Sequence, residues 1–414
     1  MPIITNDAVV LGLLAIVLGL VFYTKSRGGV WDKFYTIFPT ILMCYLIPSL
    51  MATFGLIHSA SDDTSNLWPV ARDYFLPASL ILLTLSIDLK AITGLGSKAL
   101  IMFFTATVGI VLGGPISILI MSTFSPETVG GAGPDAVWRG MATLAGSWIG
   151  GGANQTAMLE IYGYNPAKYS AMVAVDIVVA NIWMAFLLFG AGNPKPFDAW
   201  LKADTSAIDR LRDRMANYTA EVARPASAND LMYLTALAIG GTGVSHLTSM
   251  VVGGYFSGIE ATANTILSSG FFWVVVTATT IGLGASFTRA RSLEGAGASK
   301  LGTVFIFLLV TVIGTRMDIL AITEQPLLFV MGIIWMLFHT ILLFIVAKII
   351  RAPFFFIAVG SKANVGGAAS APVLAAAFHP ALAPVGVLLA VLGYALGTYG
   401  AILCATLMSM VAPA

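Results

Sequence analysis

Apolar runs recur along the whole chain, near 8–24, 34–57, 75–93, 99–123, 138–162, 168–192, 231–252, 270–288, 302–322, 327–350, 352–376 and 382–412. Most approach the roughly 20 residues that a helix needs to cross a bilayer. The pattern predicts an all-α polytopic membrane protein. The run at 34–57 carries Pro39 and Pro48. Proline removes an N–H and crowds the preceding turn, so a kink is expected there. The connection Ser59 to Tyr74 is polar, with Asp62, Asp63, Arg72 and Asp73. One extended hydrophilic stretch, Asn193 to Asp230, separates a membrane half at 1–192 from another at 231–414. Within it Ile208, Leu211, Met215, Tyr218 and Val222 fall at helical spacing and Pro225 follows, which reads as an amphipathic surface helix serving as a linker.

Two interruptions stand out against this apolar background. Gly146-Ser-Trp-Ile-Gly-Gly-Gly-Ala-Asn-Gln-Thr-Ala157 and Gly360-Ser-Lys-Ala-Asn-Val-Gly-Gly-Ala-Ala-Ser-Ala371 are both crowded with Gly, Ser, Asn or Thr. Glycine weakens a helix, and the small polar side chains compete for backbone hydrogen bonds, so broken helices are expected near 146–157 and 360–371. Non-helical backbone at membrane depth is tolerated only inside protein or against a wet cavity. Interruptions at matching places in two halves point to a binding site between internal repeats. At an offset of 214, Gly146/Gly360, Ser147/Ser361, Gly152/Gly366, Ala157/Ala371, Pro166/Pro380, Ala167/Ala381 and Val173/Val387 pair without a gap. Upstream, Ser97-Lys98 matches Ser299-Lys300 only at an offset of 202, which implies an insertion in the second half, with 327–350 as its candidate. Orientation stays open. Lys90 and Lys98 suggest one cytoplasmic loop and Arg289, Arg291 and Lys300 another, whereas inverted repeats would put one of these outside.

Composition narrows the function classes. The 414 residues are 58% hydrophobic and 10% charged, far below the share of about 25% in soluble domains, with net charge +1. Such a balance makes no case for nucleic acid. Cys44 and Cys404 both lie in apolar runs and read as packing residues. Lys25, Arg27 and Lys33 follow the first run, which suggests an outside N-terminus. There is no His-Glu-x-x-His, no Gly-x-Ser-x-Gly and no phosphate loop, so neither an enzyme nor an ATP-driven pump is expected.

The candidate chemistry lies at the interruptions. Ser147, Asn154, Gln155 and Thr156 are oxygen-bearing side chains at the first, and Ser361, Asn364 and Ser370 at the second. Hard cations suit such a shell, and Asn154, Thr156, Asp176 and Asn364 are the candidate sodium ligands. The alternative is that small polar residues only let helices approach and pair. Asp176 sits deep in an apolar run, where an ionisable group is by default functional; it can carry a proton or face sodium, and Asn181 lies five residues on. Lys362 is placed in the second interruption, where an ammonium can bind an anion, replace a coupling cation beside Asp176, or snorkel to the interface. Glu160 and His379, at the edges of the two segments, read as weak gate candidates, and Asp88, Arg316 and Asp318 as solvated charges near span ends.

Through Gly146-Ser-Trp-Ile-Gly-Gly-Gly-Ala-Asn, Ala363-Asn-Val-Gly-Gly-Ala-Ala-Ser-Ala-Pro and the tail Val385-Gly-Val-Leu-Leu-Ala-Val-Leu-Gly-Tyr-Ala-Leu-Gly-Thr, the chain resembles a bacterial membrane family, domain of unknown function 819. That family is similar in architecture to sodium/glutamate symporters, bile-acid sodium symporters and cation/proton antiporters. The resemblance implies inverted repeats, a panel and a core domain, crossing broken helices and an elevator-like movement in the bacterial inner (cytoplasmic) membrane, with pairing into a homodimer through the panel. Lys362 departs from the neutral polar residue expected there and puts a simple paired-sodium site in doubt. The expected function is a secondary active transporter of a small polar or anionic metabolite, coupled to sodium or protons, with no cofactor; an ion or solute channel is the alternative.

Overall fold

The computed structural model describes residues 2–38, 40–60, 64–208, 210–211, 225–260, 266–317, 326–379 and 382–413. Among these the regular structure is helical, and six helices are long and apolar enough to cross a membrane. The principal helices, in chain order, are α1 (Asp7–Ser26), α2 (Val30–Ile37), α3 (Thr40–Thr53), α4 (Leu67–Val70, a π-helical turn Ala71–Phe75 and Leu76–Leu85), α5 (Ser97–Phe124), α6 (Val137–Tyr162) and α7 (Tyr169–Gly192). After the surface helix Lys195–Leu201 come α8 (Ala228–Thr248, extended by a π turn Ser249–Gly253), α9 (Gly270–Ser286), α10 (Ala298–Gly314), α11 (Leu327–Ile350), α12 (Phe354–Asn364), α13 (Gly367–Phe378) and α14 (Ala383–Val411).

These helices pack as two groups. α1, α3, α4, α8, α9 and α10 form one; α5, α6, α7 and α11–α14 form the other. Lipid gives helices no hydrophobic reason to associate, so close packing at small residues must supply the adhesion. In the first group α9 meets α4 at Gly282, where a Cβ would sit 2.0 Å from Thr84 Oγ1 and 2.4 Å from the Ile81 carbonyl. In the second, α11 meets α5 at Gly113, where a Cβ would sit 2.4 Å from Trp335, whose Nε1 donates to the Ile110 carbonyl at 2.8 Å. Gly282→Ala is therefore expected to lower the unfolding midpoint clearly, while Gly284→Ala, with nothing within 4 Å, leaves it unchanged; equal midpoints would contradict this packing.

The expected run at 34–57 is divided. α2 ends at Phe38, whose φ of −112° and ψ of 86° are non-helical, and α3 starts at Thr40. Residues before proline are pushed out of the helical region, which explains the conformation of Phe38. Pro39 itself lies outside the described residues, while Pro48 sits inside α3.

Both interruptions turn the chain back on itself. In α6 the helix persists through Gly150 and breaks at one residue, Gly151 (φ 75°, ψ −171°), a conformation closed to side-chain-bearing residues. The two limbs then run side by side. Arg139 donates to the Tyr162 carbonyl, the Trp138 and Tyr162 rings lie 5.4 Å apart, and Asn165 N–H donates to the Pro134 carbonyl at 2.9 Å. In the second interruption α12 ends at Asn364, Val365 and Gly366 (φ 115°, ψ −11°) form the bend, and α13 returns. Phe354 and Phe378, at the far ends of the two limbs, have ring centroids 6.2 Å apart. The crossing geometry implied by resemblance is thus replaced by two re-entrant hairpins. Lys362 accordingly lies within α12, one turn ahead of the bend, and not in the break.

The hairpins enter from opposite ends of the bundle. The base of the second is capped by Asp198, which accepts from Phe354 N–H at 2.8 Å. Beside it Lys98 Nζ donates to the Arg351 carbonyl at 3.1 Å and approaches Asp204 at 3.4 Å. Lys98 is the second residue of α5, a 28-residue rod about 42 Å long whose other end leads through Ser125–Ala136 into the first hairpin. Lys25, Lys98, Arg289, Arg291, Lys348 and Arg351 all fall at the end where the second hairpin begins. The opposite end carries Arg72, Arg139, Lys168 and Arg316.

Ser97 therefore starts a helix of the second group and Ser299 a helix of the first, so their match at an offset of 202 does not mark equivalent positions. The helix at 327–350 is no isolated insertion either, since it packs along α5. The conflict between the two basic loops disappears with this, because both lie at one end of the bundle. Most of the expected amphipathic helix at 208–222, as well as Asp62, Asp63, Asp318, Pro380 and Ala381, lies outside the described residues.

Candidate functional site

Two half-depth hairpins need something to pack against at their tips, and α14 supplies it. A Cβ on Gly393 would lie 2.8 Å from the Ile149 carbonyl and 3.3 Å from the Ala363 carbonyl, one from each hairpin. One turn on, Gly397 meets Gly150 so closely that a Cβ on Gly397 would fall 2.4 Å from the Gly150 Cα. Tyr394, between them, faces both bends: its Cε1 is 3.4 Å from a Cβ built on Gly151 and 3.8 Å from one built on Gly367. The tips of the two hairpins thus converge on one turn of α14, which gives a physical reason for the glycines of the tail segment.

Each hairpin is stapled by an asparagine. Asn154 Nδ2 donates to the Gly150 carbonyl (2.9 Å), across the break, and to the Tyr394 carbonyl (3.1 Å), while its Oδ1 accepts from Thr398 at 2.6 Å. Asn364 Nδ2 donates to the Gly360 carbonyl (3.0 Å) and the Phe103 carbonyl (3.3 Å), while its Oδ1 accepts from Thr107 at 2.8 Å. Both asparagines are fully buried, and in each case carbonyl and threonine stand one turn apart on a neighbouring helix. At the first break the carboxamide satisfies the Gly150 carbonyl that the broken helix leaves free; at the second, Asn364 bonds back within α12 and ties it to α5. Each carboxamide oxygen retains one lone pair for a cation. Asn364→Leu, which keeps size and removes all three bonds, is expected to destabilise by about 2–4 kcal/mol through the unmet partners; denaturant unfolding in detergent would measure it.

Asp176, on α7, faces the first hairpin. Its Oδ2 accepts from Ser147 Oγ at 2.6 Å and from Gln155 Nε2 at 3.2 Å, and its Oδ1 from Trp148 Nε1 at 2.7 Å. Lys362 comes from the second hairpin, only 3% exposed, with Nζ donating to the Ala180 carbonyl of α7 at 3.2 Å. It is buried and does not snorkel. Ala180 follows Asp176 by one turn of α7, so the two charged side chains engage the same stretch of that helix. Ser370 joins Lys362 at the second bend: a Cβ on Gly366 would meet Ser370 Oγ at 2.3 Å and Lys362 Nζ at 3.2 Å. The Ser370 hydroxyl oxygen is buried and has no hydrogen-bond partner among the described residues.

Ser361 is the anchor of the second hairpin. Its hydroxyl accepts from Trp183 Nε1 at 2.8 Å and meets His339 Nε2 at 2.8 Å, while His339 Nδ1 lies 3.0 Å from the Ala106 carbonyl. A carbonyl only accepts, so Nδ1 carries the proton and Nε2 accepts from Ser361. Thr156 donates back to the Gly152 carbonyl at 3.0 Å within its own limb. Asn181 is exposed on α7 and stands apart from the group. The four residues named as sodium ligands therefore divide among separate bonding partners: Asp176 with Ser147, Trp148 and Gln155, Asn154 with Tyr394 and Thr398, Asn364 with Phe103 and Thr107, and Thr156 with Gly152.

Sequence reasoning missed Trp148, Tyr394, Thr398, Thr107, His339 and Trp183. Thr279 of α9, 3.0 Å from Thr398 Oγ1, was missed too and carries the Asn154 network into the first helix group. At the opposite end Glu160 lies between Arg72 Nη1 (3.9 Å) and Arg316 Nη1 (3.7 Å), and Arg316 covers the Trp68 ring at 4.0 Å. Arg316 is consequently engaged in an ionic link between the groups, contrary to its reading as a solvated charge. The π turn Ala71–Phe75 aims Arg72 at this link, and the Asp73 carbonyl accepts from His246 Nε2 at 2.8 Å.

Comparison with known proteins agrees with a membrane protein and adds no substrate. An uncharacterized membrane protein YjcL from Bacillus subtilis (strain 168) is 25% identical over 361 residues, covering 83% of each chain. A family model described as protein of unknown function (DUF819) matches residues 12–411. With that match running from α1 into α14, the chain belongs to the DUF819 family of membrane proteins.

Proposed function

We propose that this protein is a secondary active transporter of a small polar or anionic metabolite, coupled to sodium or protons, with its site where the two hairpin tips meet. The observation that carries the reading is the convergence of oppositely directed hairpins on Tyr394, beside a half-buried Asp176 that accepts three hydrogen bonds and a buried Lys362. Broken helices offer a ligand what intact ones cannot: free N–H groups and carbonyls at membrane depth. In this reading the two halves are inverted repeats, α5–α7 answering to α11–α14, and the basic end faces the cytoplasm by the positive-inside rule. The first helix group serves as the panel, and the second moves against it.

Unfolding midpoints of the purified protein in sodium, potassium and choline, at several pH values, test the coupling. A ligand that binds only the folded state stabilises by about 2.7 kcal/mol at one hundred times its Kd. A rise specific to sodium, or a pH response lost in Asp176→Asn, supports coupled transport; a midpoint indifferent to both ion and pH would count against it. Movement is tested by a lock. Thr279 and Thr398 face each other across the two groups at 3.0 Å, so Thr279→Cys with Thr398→Cys is expected to abolish uptake by oxidised proteoliposomes and to regain it on reduction. Uptake unchanged by oxidation, with the disulfide verified, would refute relative movement at this seam.

A further inference from the structure

We infer that Lys362, Ser370 and the first N–H groups of α13 form a carboxylate-binding subsite whose occupation is linked to protonation of Asp176, so that an organic anion and a proton bind together. The inference rests on the transporter reading and supplies its substrate class.

Gly366 is exposed at the bend, and both Lys362 Nζ and Ser370 Oγ lie against the place where its Cβ would be. The buried Ser370 hydroxyl has no partner among the described residues, and an unmet hydroxyl is costly unless something else uses it. Lys362 has three N–H donors and gives one to the Ala180 carbonyl. α13 starts at Gly367, so its first N–H groups point into the same bend with no intrahelical acceptor. A cationic donor, a hydroxyl and helix N-terminal N–H groups around one glycine suit the two oxygens of a carboxylate.

Charge balance supplies the coupling. Asp176 is faced by Ser147, Trp148 and Gln155 from α6, and interacts electrostatically with Lys362 of α12, Tyr45 of α3 and Tyr169 of α7. His339 of α11 is one link further away, behind Ser361. With Asp176 ionised, the pair with Lys362 is neutral, and an added carboxylate leaves a buried net negative charge. With a solvent proton on Asp176, Lys362 is the uncompensated charge and the carboxylate neutralises it. Buried charge is tolerated only when compensated, so each ligand favours the other, and such coupling is reciprocal. Anion affinity should therefore rise as pH falls.

The test uses the full-length protein in detergent, with acetate, pyruvate, succinate and glutamate as probes and chloride as the control at equal ionic strength. Unfolding midpoints and the fluorescence of Trp148, whose Nε1 is 2.7 Å from Asp176, are read between about pH 5.5 and 8.5. At least one carboxylate is expected to bind more tightly than chloride, gaining up to about tenfold in affinity per unit fall in pH. Asp176→Asn should remove the gain in affinity between about pH 7 and 5.5, Lys362→Gln should abolish binding, and Ser370→Ala should weaken it by about fivefold to tenfold. If Lys362→Gln does not fold, Ser370→Ala decides, since removing that hydroxyl breaks no hydrogen bond among the described residues. Carboxylates no better than chloride, affinity that rises with pH, or full binding in these variants would overturn the inference. The same null result beside an intact sodium or pH response would leave the transporter reading standing.

Discussion

Gly150→Ala is expected to destabilise the protein by about 3–5 kcal/mol, one of the largest costs of any single methyl group in the chain. The added Cβ would fall 2.2 Å from Asn154 Nδ2 and 2.6 Å from the Gly397 Cα. Neither neighbour has room to give. The carboxamide is held by the Gly150 and Tyr394 carbonyls and by Thr398, and Gly397 is backbone of a 29-residue helix. Overpacking alone costs about 1–3 kcal/mol, and the broken staple adds buried groups without partners. Gly397→Ala should behave alike, and the double variant should cost less than the sum because the second methyl enters a contact already opened. Gly243→Ala, with nothing within 4 Å, is the control and should gain slightly from helix propensity. Denaturant unfolding of detergent-purified protein decides it. A Gly150→Ala variant as stable as Gly243→Ala would mean that the tip does not lean on α14.

Asp176→Asn is expected to abolish uptake and, at neutral pH, to cost about 3–5 kcal/mol of stability by leaving the Lys362 ammonium uncompensated. Lys362→Gln alone should cost a comparable amount for the converse reason. The informative variant is the double one. With both charges gone the amide oxygen can still accept from Trp148 and the amide N–H groups can donate to the Ser147 hydroxyl and to a turned Gln155 carboxamide, so Asp176→Asn with Lys362→Gln should recover much of the stability while remaining inactive. Such a cycle yields a coupling energy of about 1–3 kcal/mol for interacting groups. Additive losses would show that the two charges are solvated separately, and the shared site would have to be abandoned.

Much of the fold was legible because membrane depth imposes simple rules. The apolar runs located most of the helices, and the Gly/Asn-rich stretches located both breaks, since no other composition suits non-helical backbone in lipid. What composition does not reveal is where within twelve residues a helix fails. That depends on one torsion at Gly151 and on Val365–Gly366, which α14 selects through its own glycines. Nor does hydropathy distinguish a helix that crosses from a hairpin that returns, and this misread the implied geometry of both segments. Asp176 was identified by its depth alone. Its companions Trp148 and Gln155 lie in the hairpin that precedes it in the chain, but Tyr394, Thr398 and His339 come from helices about 160–220 positions further on in sequence, and no local pattern links them. The false match of Ser97-Lys98 with Ser299-Lys300 has a plain cause: both pairs sit in the first turn of an apolar helix with a glycine at its N-cap (Gly96 and Gly297), a context that recurs wherever a chain re-enters lipid.

The limbs of the second hairpin also act as rulers. α12 has 11 residues, about 16 Å of helix, close to half the roughly 30 Å hydrocarbon thickness. Depth at its tip is therefore counted in residues from the Asp198 cap, and so is the compass bearing of every side chain along it. Deleting one residue between Phe354 and Ser361 would raise Lys362 by about 1.5 Å and swing it through about 100°, away from Ala180 and towards α5 or α11. Hydrophobicity would be unaffected. Natural relatives should thus tolerate apolar exchanges along this limb far more readily than any change in its length.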